Sequence, residues 1–193
     1  MRHNNMPKFS IATLVTDLAE YAKMQRSFRE GGFTEPDCEF LTVDNTGTVQ
    51  TSAYLGLNQM LEAAAGCYVL LCHQDVRLIE DGYDRLTCLL EELETHDPTW
   101  AVAGNAGGRG PGRIAICISD PHGESQHRGN LPAKVTALDE NFMVVKREAR
   151  VGFSRDLDGF HMYGADLCLV AQTLGYSSYV INFHLRHLSG GKI

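Results

Sequence analysis

The sequence contains no apolar run as long as a membrane-spanning helix requires, which is about 20 residues. It begins with MRHNNMPKFS, which lacks the apolar core of a secretory signal peptide. Both absences argue against an integral membrane protein and against an exported one. We therefore expect a cytoplasmic protein.

An excess of basic residues is also absent. The 193 residues include 24 acidic and 17 basic side chains, which gives a formal net charge of -7 at pH 7. A protein that coats the phosphate backbone of nucleic acid carries a basic surface, so nucleic acid is not an expected partner. The hydrophobic share of 44% and the charged share of 21% are ordinary for a globular protein. The length predicts a single domain of α/β size over residues 1–193.

Several common site motifs are missing as well. The six cysteines form no Cys-x-x-Cys pair, which argues against a zinc site or a disulfide scaffold and favours reduced thiols. No Gly-x-Gly-x-x-Gly follows the first predicted strand, and no P-loop is present. The glycine-rich segment GGRGPG, residues 107–112, comes too late in the chain for either motif. A dinucleotide-dependent dehydrogenase is therefore a poor fit.

The chain does contain alternating strand-like and helix-like segments, which are typical of a parallel sheet covered by helices. Strands are predicted at Phe9–Val15, Phe40–Val43, Cys67–Cys72 and Trp100–Ala103. Helices are predicted between Asp17 and Gly31, over residues 57–64, and between Asp81 and Asp97. Asp17 and Glu20 have the spacing of a capping box, and Leu18 belongs to the predicted apolar face of the first helix.

The second half of the chain is less regular. Residues 113–119 alternate, with isoleucines on one face, which predicts an exposed or antiparallel strand. Residues 120–130 are rich in turn formers without periodicity, and they predict a mobile surface loop. Further elements are predicted as a strand at Val135–Val145, a helix at Ala165–Leu174 and a strand at Tyr179–Phe183.

Polar residues follow each of the first three predicted strands. They are Thr16 and Asp17 after the first, Asp44 and Asn45 after the second, and His73, Gln74 and Asp75 after the third. In open parallel sheets ligands bind just beyond the carboxyl ends of the strands, so together these residues predict a binding site. Considered singly, Asp17 has the alternative role of a helix cap, and Asp44 that of a turn former.

Asp75 is the first candidate for a metal ligand. A carboxylate at the end of a buried strand is well placed to hold a hard divalent cation, Mn²⁺ or Mg²⁺, beside a diphosphate. Its alternative role is to cap a turn before Arg77. Near the other end of the chain, His184 and His187 offer imidazoles that can complete such a site. An irregular segment there leaves only one of the two facing the metal.

The segment DLDGFHMYGAD, residues 156–166, holds the densest set of candidates for a general base. The candidates are Asp158, His161 and Asp166. Asp166 has the alternative role of capping the helix that follows it.

Five segments, in this order, carry a resemblance to a known family. They are LLCHQDV (70–76), WAVAGNAGG (100–108), LDE (138–140), GFHMYGADLCL (159–169) and HLSGG (187–191). Together they resemble the family 2 glycosyltransferases of the nucleotide-diphospho-sugar transferase superfamily, particularly its short glycosyltransferase-like subgroup. The resemblance covers Phe9 to Gly191. It implies an α/β fold of GT-A type, with a central, mostly parallel sheet flanked by helices and a small antiparallel portion.

The resemblance also implies roles for individual residues. Asp75 stands where the family binds the metal on the donor diphosphate, with His73 in place of the first aspartate of its DxD motif. His187 stands where the family often has a further metal ligand. The positions implied for donor binding are Thr16, Asp17, Asp44, Asn45, His73, Gln74, Asn105, Asp139 and Glu140, with the last two on the donor or the acceptor side. The expected donor is a UDP- or dTDP-linked sugar.

The reaction implied by the resemblance is an inverting displacement. A base deprotonates an acceptor hydroxyl while a divalent metal stabilises the departing nucleoside diphosphate. Family members often carry this base as the first aspartate of a Tyr-Asp-x-Asp pattern, and Gly164 occupies that position here. Asp166, Asp158 or His161 then acts instead, or the chain is a catalytically silent nucleotide-sugar-binding domain in glycan assembly.

Two further expectations concern partners. The expected acceptor is a glycan or a lipid-linked molecule, and a lipid-linked acceptor gives a peripheral position at a membrane. Because one domain of this size holds the donor site and little else, a second copy of the chain or a partner glycosyltransferase is expected to help hold the acceptor. A metal-dependent hydrolase or nucleotidyltransferase is a third class, and it usually shows more metal ligands at its strand ends.

Overall fold

The computed structural model describes residues 6–189. Its helices are α1 (Leu18–Glu30), α2 (Ala53–Ala63), α3 (Tyr83–His96) and α4 (Tyr163–Thr173). Its strands are β1 (Phe9–Val15), β2 (Cys38–Asp44), β3 (Tyr68–Cys72), β4 (Val76–Leu78), β5 (Trp100–Gly104), β6 (Ala106–Gly108), β7 (Ile114–Asp120), β8 (Gly123–Arg128), β9 (Ala133–Val135), β10 (Ala137–Leu138), β11 (Phe142–Lys146), β12 (Ser177–Val180) and β13 (Leu185–His187). Among these residues no helix is long and apolar enough to cross a bilayer.

The first three long strands pair in parallel in the order β2-β1-β3. Six of the seven residues of β1 are buried, including the polar Ser10 and Thr13, as is typical of an interior strand of a parallel sheet. Helices α1 and α2 supply the crossover connections that parallel strands require. The carboxyl ends of β1, β2 and β3 therefore lie at one edge of the sheet, as the sequence predicted.

Helix α1 begins where the sequence supplies a cap. Asp17 Oδ1 accepts hydrogen bonds from two backbone N–H groups of the first turn, at 2.8 and 3.1 Å, and such a cap contributes about 1 kcal/mol. The prediction of a reciprocal capping box is wrong, because the Glu20 carboxylate pairs with Lys23 and Arg77 instead. Leu18 was expected on the buried face and is 64% exposed.

Strand β11 makes the large sheet a mixed one. The strand order is β2-β1-β3-β11-β5-β12-β9, and β11 runs antiparallel to both β3 and β5. The strand character predicted over Val135–Val145 is divided among β9, β10 and β11, because the chain turns after Leu138. Asp139 Oδ1 accepts the backbone N–H of Asn141 at 2.9 Å and so closes that turn.

A second sheet, in the order β10-β6-β7-β13-β4, forms the antiparallel portion, with β8 paired to β7. The prediction of a mobile loop over residues 120–130 is wrong, because β7 and β8 form a hairpin. Asp120 Oδ1 accepts two backbone N–H groups in its turn, at 2.8 and 3.2 Å. Strand β13 was not predicted, and it is parallel to β7 and antiparallel to β4.

Helices cover both faces of the large sheet. Phe28 of α1 and Leu90 of α3 pack on one face, and Leu57 of α2 and Leu167 of α4 pack on the other. Burying a side chain of this kind contributes about 1.5–3 kcal/mol. The three layers leave the carboxyl ends of the parallel strands uncovered, which positions the site described next.

Candidate functional site

A three-residue turn, His73 to Asp75, follows β3 at the open edge of the sheet. The backbone N–H of His73 donates to the carbonyl of Asn141 at 2.9 Å, and the carbonyl of Asp75 accepts from the N–H of Leu188 at 3.1 Å. Strand β13 pairs with β4 so that His187 lies opposite the first residue of β4. Strand pairing therefore brings His187 beside the turn from 114 positions further along the chain.

Three potential ligand atoms converge at this point. Nδ1 of His73 lies 3.4 Å from Nε2 of His187 and 4.0 Å from Oδ1 of Asp75, and the last two atoms lie 3.4 Å apart. Donor atoms bound to one ion at about 2.1 Å are themselves roughly 3–3.5 Å apart, so small movements would let all three bind one ion. Two imidazoles and one carboxylate form a donor set that suits a first-row divalent cation and leaves coordination positions open.

The pKa shifts of Asp75 and His73 fit metal binding. Burial raises the pKa of Asp75, but hydrogen bonding and attraction from His187, with further attraction from His73, hold the pKa well below its usual value. Burial lowers the pKa of His73, and the neighbouring His187 lowers it further. Metal ions bind the ionised carboxylate and the neutral imidazole, which are the forms that these pKa shifts favour.

Tyr163, at the start of α4, orients the first histidine. Its hydroxyl lies 2.7 Å from Nε2 of His73, which leaves Nδ1 directed at the cluster. A hydrogen bond on the second ring nitrogen fixes the tautomer and the ring orientation of a ligating histidine. Burial raises the pKa of Tyr163 well above its usual value, so the phenol stays protonated.

Gln74 joins the ends of two parallel strands. Its Oε1 accepts the backbone N–H groups of Thr16 and Asp17, each at 2.9 Å, and its Nε2 donates to Oγ1 of Thr16 at 2.7 Å. Thr16, Asp17 and Gln74, three predicted donor-binding residues, are therefore brought together. The carboxylate of Asp17 caps α1, which was the alternative role foreseen for it.

Asp44 is the last residue of β2, and Asn45 follows it at the same edge. Asp44 Oδ1 accepts from both the N–H and the hydroxyl of Thr46, at 2.9 and 2.7 Å, and these bonds lower its pKa. It thus makes the turn foreseen as its alternative role, while remaining exposed. Asn45 is buried and exchanges two hydrogen bonds with the backbone of Thr51, at 2.8 and 2.9 Å. Asn45 lies in the wall of the cavity described next.

A cavity of about 280 Å³ opens beside the histidine–aspartate cluster. It is lined by Leu14, Thr16, Asn45, Ala53, Leu57, Leu71, Cys72, His73, Gln74, Asp75, Glu140, Phe160 and Tyr163. Among residues 6–189 there are larger clefts, of about 550, 470 and 340 Å³, but none of them is lined by the cluster. The smaller cavity combines apolar walls with a few convergent polar groups, which is the usual character of a ligand site.

The three predicted base candidates lie outside the lining of this cavity. Both carboxylate oxygens of Asp166 are engaged by Ser154, one by its N–H at 2.8 Å and one by its hydroxyl at 2.6 Å. Asp166 does not cap α4, because the N-cap position is Met162. Asp158 and His161 are exposed, and Asp158 accepts the backbone N–H that follows it at 2.8 Å. The assignment of these three residues to catalysis stays a prediction.

Of the other predicted donor-binding residues, one lines the cavity and two do not. Glu140 lines the cavity, whereas its neighbour Asp139 is exposed and holds Asn141 through Oδ1. Asn105 is fully buried, and its Oδ1 has no hydrogen-bond partner among residues 6–189. Asn105 therefore lies beneath the surface of the site rather than in the cavity wall.

Only one of the two C-terminal histidines reaches the cluster. Nε2 of His184 lies 3.0 Å from the hydroxyl of Ser119, and its backbone N–H donates to Asp81 at 2.6 Å. Because β13 is a strand, alternate side chains point to opposite faces, and His187 alone contacts Asp75. The last two residues of the HLSGG segment, Gly190 and Gly191, lie outside the described residues.

No family model matches the chain. A relative from Fuscovulum blasticum, named "ATP synthase subunits region ORF 6", is 44% identical over 187 residues, which cover 93% of this chain and 74% of the relative. The chain belongs to the family of that relative. The relative's name states no activity, so membership alone assigns none.

Solved structures identify the fold as GT-A. The mannosyltransferase PcManGT from Pyrobaculum calidifontis, in complex with GDP-Man and Mn²⁺, has a TM-score of 0.61 at 14% identity over 95% of this chain. GalNAc-T7 with UDP, GalNAc and Mn²⁺ gives 0.64 at 6% over 96%, and S. aureus TarS gives 0.62 at 11% over 94%. The chain spans 57%, 44% and 37% of the lengths of these three proteins. The predicted fold class is thereby confirmed.

Sequence reasoning placed His73 with the donor and did not count it as a metal ligand. The structure places it with Asp75 and His187 in one cluster. The available signal was the His-x-Asp spacing after a buried strand, because residues two apart in a short turn can face the same point. Tyr163 gave no comparable signal, since its contact with His73 depends on how α4 packs.

Proposed function

We propose that this protein is a metal-dependent glycosyltransferase that uses a nucleotide-diphospho-sugar donor. The observation that carries the proposal is the His73–Asp75–His187 cluster at the open strand edge of a GT-A fold. These three residues would hold a divalent ion, which would supply positive charge beside the departing diphosphate. Mn²⁺ is the first choice because two of the similar solved structures contain it.

The cavity beside the cluster is the donor site in this proposal. Those two structures contain GDP-Man and UDP, and we extend the nucleotide-sugar class to this chain, with UDP- and dTDP-linked sugars as the first donors to try. The backbone at the ends of β1 and β2, held by Gln74 and Asn45, supplies a rigid wall for the nucleotide. No observation among residues 6–189 favours a catalytically silent domain.

The acceptor is bound on the side of the cavity that carries Phe160. The chain spans 57%, 44% and 37% of the lengths of the three similar solved structures. We propose that a second copy of the chain or a partner glycosyltransferase completes this side, and that the acceptor is a glycan or a lipid-linked molecule. A cytoplasmic protein, peripheral at a membrane when the acceptor is lipid-linked, fits that arrangement.

The test measures binding of metal and nucleotide together. The melting temperature of the purified chain is recorded with Mn²⁺ and UDP, GDP or dTDP, each alone and in combination. A ligand at 100 times its dissociation constant stabilises by about 2.7 kcal/mol, which corresponds to roughly 5–10 °C for a chain of this size. We expect one nucleotide with Mn²⁺ to give such a rise.

Variants then locate the site. Asp75→Ala and His187→Ala should abolish the rise, whereas Asp84→Ala, an exposed carboxylate on α3, should leave it unchanged. The proposal is wrong if no combination stabilises the wild-type chain, or if the rise persists in both site variants.

A further inference from the structure

The space that a side chain at Gly164 would need is taken up by the backbone carbonyl of Leu138, and the side chain of Glu140 lies beside it. A Cβ atom added at Gly164 would meet the carbonyl oxygen of Leu138 and lie 3.2 Å from Cγ of Glu140. The backbone N–H of Gly164 donates to Oε1 of Glu140 at 3.3 Å. The start of α4 and the end of β10 thus approach so closely that only glycine fits at position 164. The carboxylate near this position is that of Glu140, in the turn after β10.

The carboxylate of Glu140 is exposed to the cavity and only partly compensated. Burial raises its pKa, and the negative charge of Asp139 raises it further. The N–H groups of Gly164 and Tyr163 and the nearby His161 act in the opposite direction but do not cancel the increase. A carboxylate with a raised pKa accepts a proton more readily than a solvated one.

Glu140 lines the same cavity as His73 and Asp75 of the metal cluster. Tyr163 lies between them: its hydroxyl contacts Nε2 of His73 at 2.7 Å and lies 3.5 Å from the carbonyl oxygen of Glu140. An inverting displacement needs two separate groups, a cation beside the leaving group and a base beside the attacking hydroxyl. The cavity therefore contains groups suited to both.

We propose, resting on the function proposed above, that Glu140 is the general base that deprotonates the acceptor. The acceptor O–H proton passes to a carboxylate oxygen of Glu140 while the acceptor oxygen forms a bond to the anomeric carbon. The bond from that carbon to the diphosphate oxygen breaks, and its electron pair leaves with the nucleoside diphosphate. With water as the acceptor, the same step releases free sugar and nucleoside diphosphate.

The alternative carboxylate in the same region has a different role. Asp166 is committed to Ser154 through both oxygens and anchors the segment before α4. It is a structural group, whereas the side chain of Glu140 is held only by backbone N–H groups at the start of α4 and faces the cavity.

The test compares Glu140→Gln, Glu140→Asp and Glu92→Gln, the last an exposed control on α3. Release of nucleoside diphosphate is measured with Mn²⁺ and a panel of UDP-, GDP- and dTDP-linked sugars. Glu140→Gln should lower the rate by about 10²–10⁴-fold, since a positioned base contributes about that factor. Glu140→Asp should retain intermediate activity. The wild-type rate should fall as the pH drops through the raised pKa of Glu140. The charged groups that neighbour Glu140 are Asp139 and His161.

A second measurement uses the metal-free protein and separates catalysis from structure. A carboxyl whose pKa is raised on folding costs stability when ionised, so Glu140→Gln should melt at the same temperature as wild type or higher at pH 8. Asp166→Asn, which disturbs two hydrogen bonds, should melt lower.

Each outcome distinguishes the two proposals. Unchanged release in Glu140→Gln, or a melting temperature several degrees below wild type, overturns the role of Glu140 and leaves the proposed function intact. No stabilisation of wild type by any nucleotide with Mn²⁺ overturns the proposed function itself. Stabilisation without release from any donor in the panel overturns both the base and the transferase activity, and leaves a nucleotide-binding protein.

Discussion

The close approach of α4 to the turn after β10 makes Gly164→Ala a demanding test of the fold around the site. The added methyl group meets the carbonyl oxygen of Leu138, which is backbone and cannot rotate away. Alanine gains up to about 1 kcal/mol over glycine in a helix, but overpacking a tight contact costs about 1–3 kcal/mol. We therefore expect a net loss of about 1–2 kcal/mol in the free energy of unfolding.

The matched control is Gly56→Ala in α2. There the nearest atom to the added methyl is Cδ2 of Leu14 at 2.6 Å, the far end of a flexible side chain that can rotate. The control should cost less than about 0.5 kcal/mol, because the helix gain offsets the small adjustment. Thermal unfolding should show Gly164→Ala about 2–8 °C below wild type, with Gly56→Ala close to wild type.

The same substitution should also slow donor cleavage, because moving α4 shifts the N–H that holds Glu140. The reasoning is refuted if Gly164→Ala is as stable as wild type, or more stable than Gly56→Ala. That result would mean that the start of α4 does not lie against the backbone of Leu138.

Two further predictions concern stability alone. Asp97 accepts hydrogen bonds from Thr99 and Tyr179, which lower its pKa from 3.8 to about 2, with Thr99 as the largest cause. A carboxyl whose pKa is lowered on folding stabilises the fold at pH values above its unfolded pKa of about 3.9, and this stabilisation is lost as the pH falls toward 2. Asp97→Asn should therefore lower the free energy of unfolding by about 1 kcal/mol at pH 7, after allowance for solvent screening. Urea unfolding should show a smaller loss at pH 3. Leu90 is fully buried, and Leu90→Ala should cost about 2–5 kcal/mol, whereas Leu169→Ala, at a position 57% exposed, should change unfolding by less than about 0.5 kcal/mol.

Much of the first half of the fold could be predicted because its signals are local. The apolar run Phe9–Val15 and the cap at Asp17 lie within a few residues of the elements that they specify. The edge where β1, β2 and β3 end follows from parallel pairing, which the alternation of strands and helices already indicated.

The rest depends on contacts between distant segments. Strand β11 pairs with β3 across about 70 residues, and nothing in the sequence of either strand specifies an antiparallel partner. Likewise, Glu140 and Gly164 become neighbours only when α4 packs on β10. The sequence shows only residues near Gly164 along the chain, so the candidates for a base that it offers are Asp158, His161 and Asp166. The hairpin of β7 and β8 was missed because its strand β8 is polar and exposed, without the alternation that predicts a strand.

The central position of β11 also affects how the chain can be assembled during synthesis. Until residues 142–146 leave the ribosome, β3 and β5 lack the strand that joins them, and both expose unpaired backbone N–H and C=O groups. Such open edges invite pairing with other chains. A fragment that ends before β11 should therefore aggregate rather than fold, and the first half of the chain is not an independent unit.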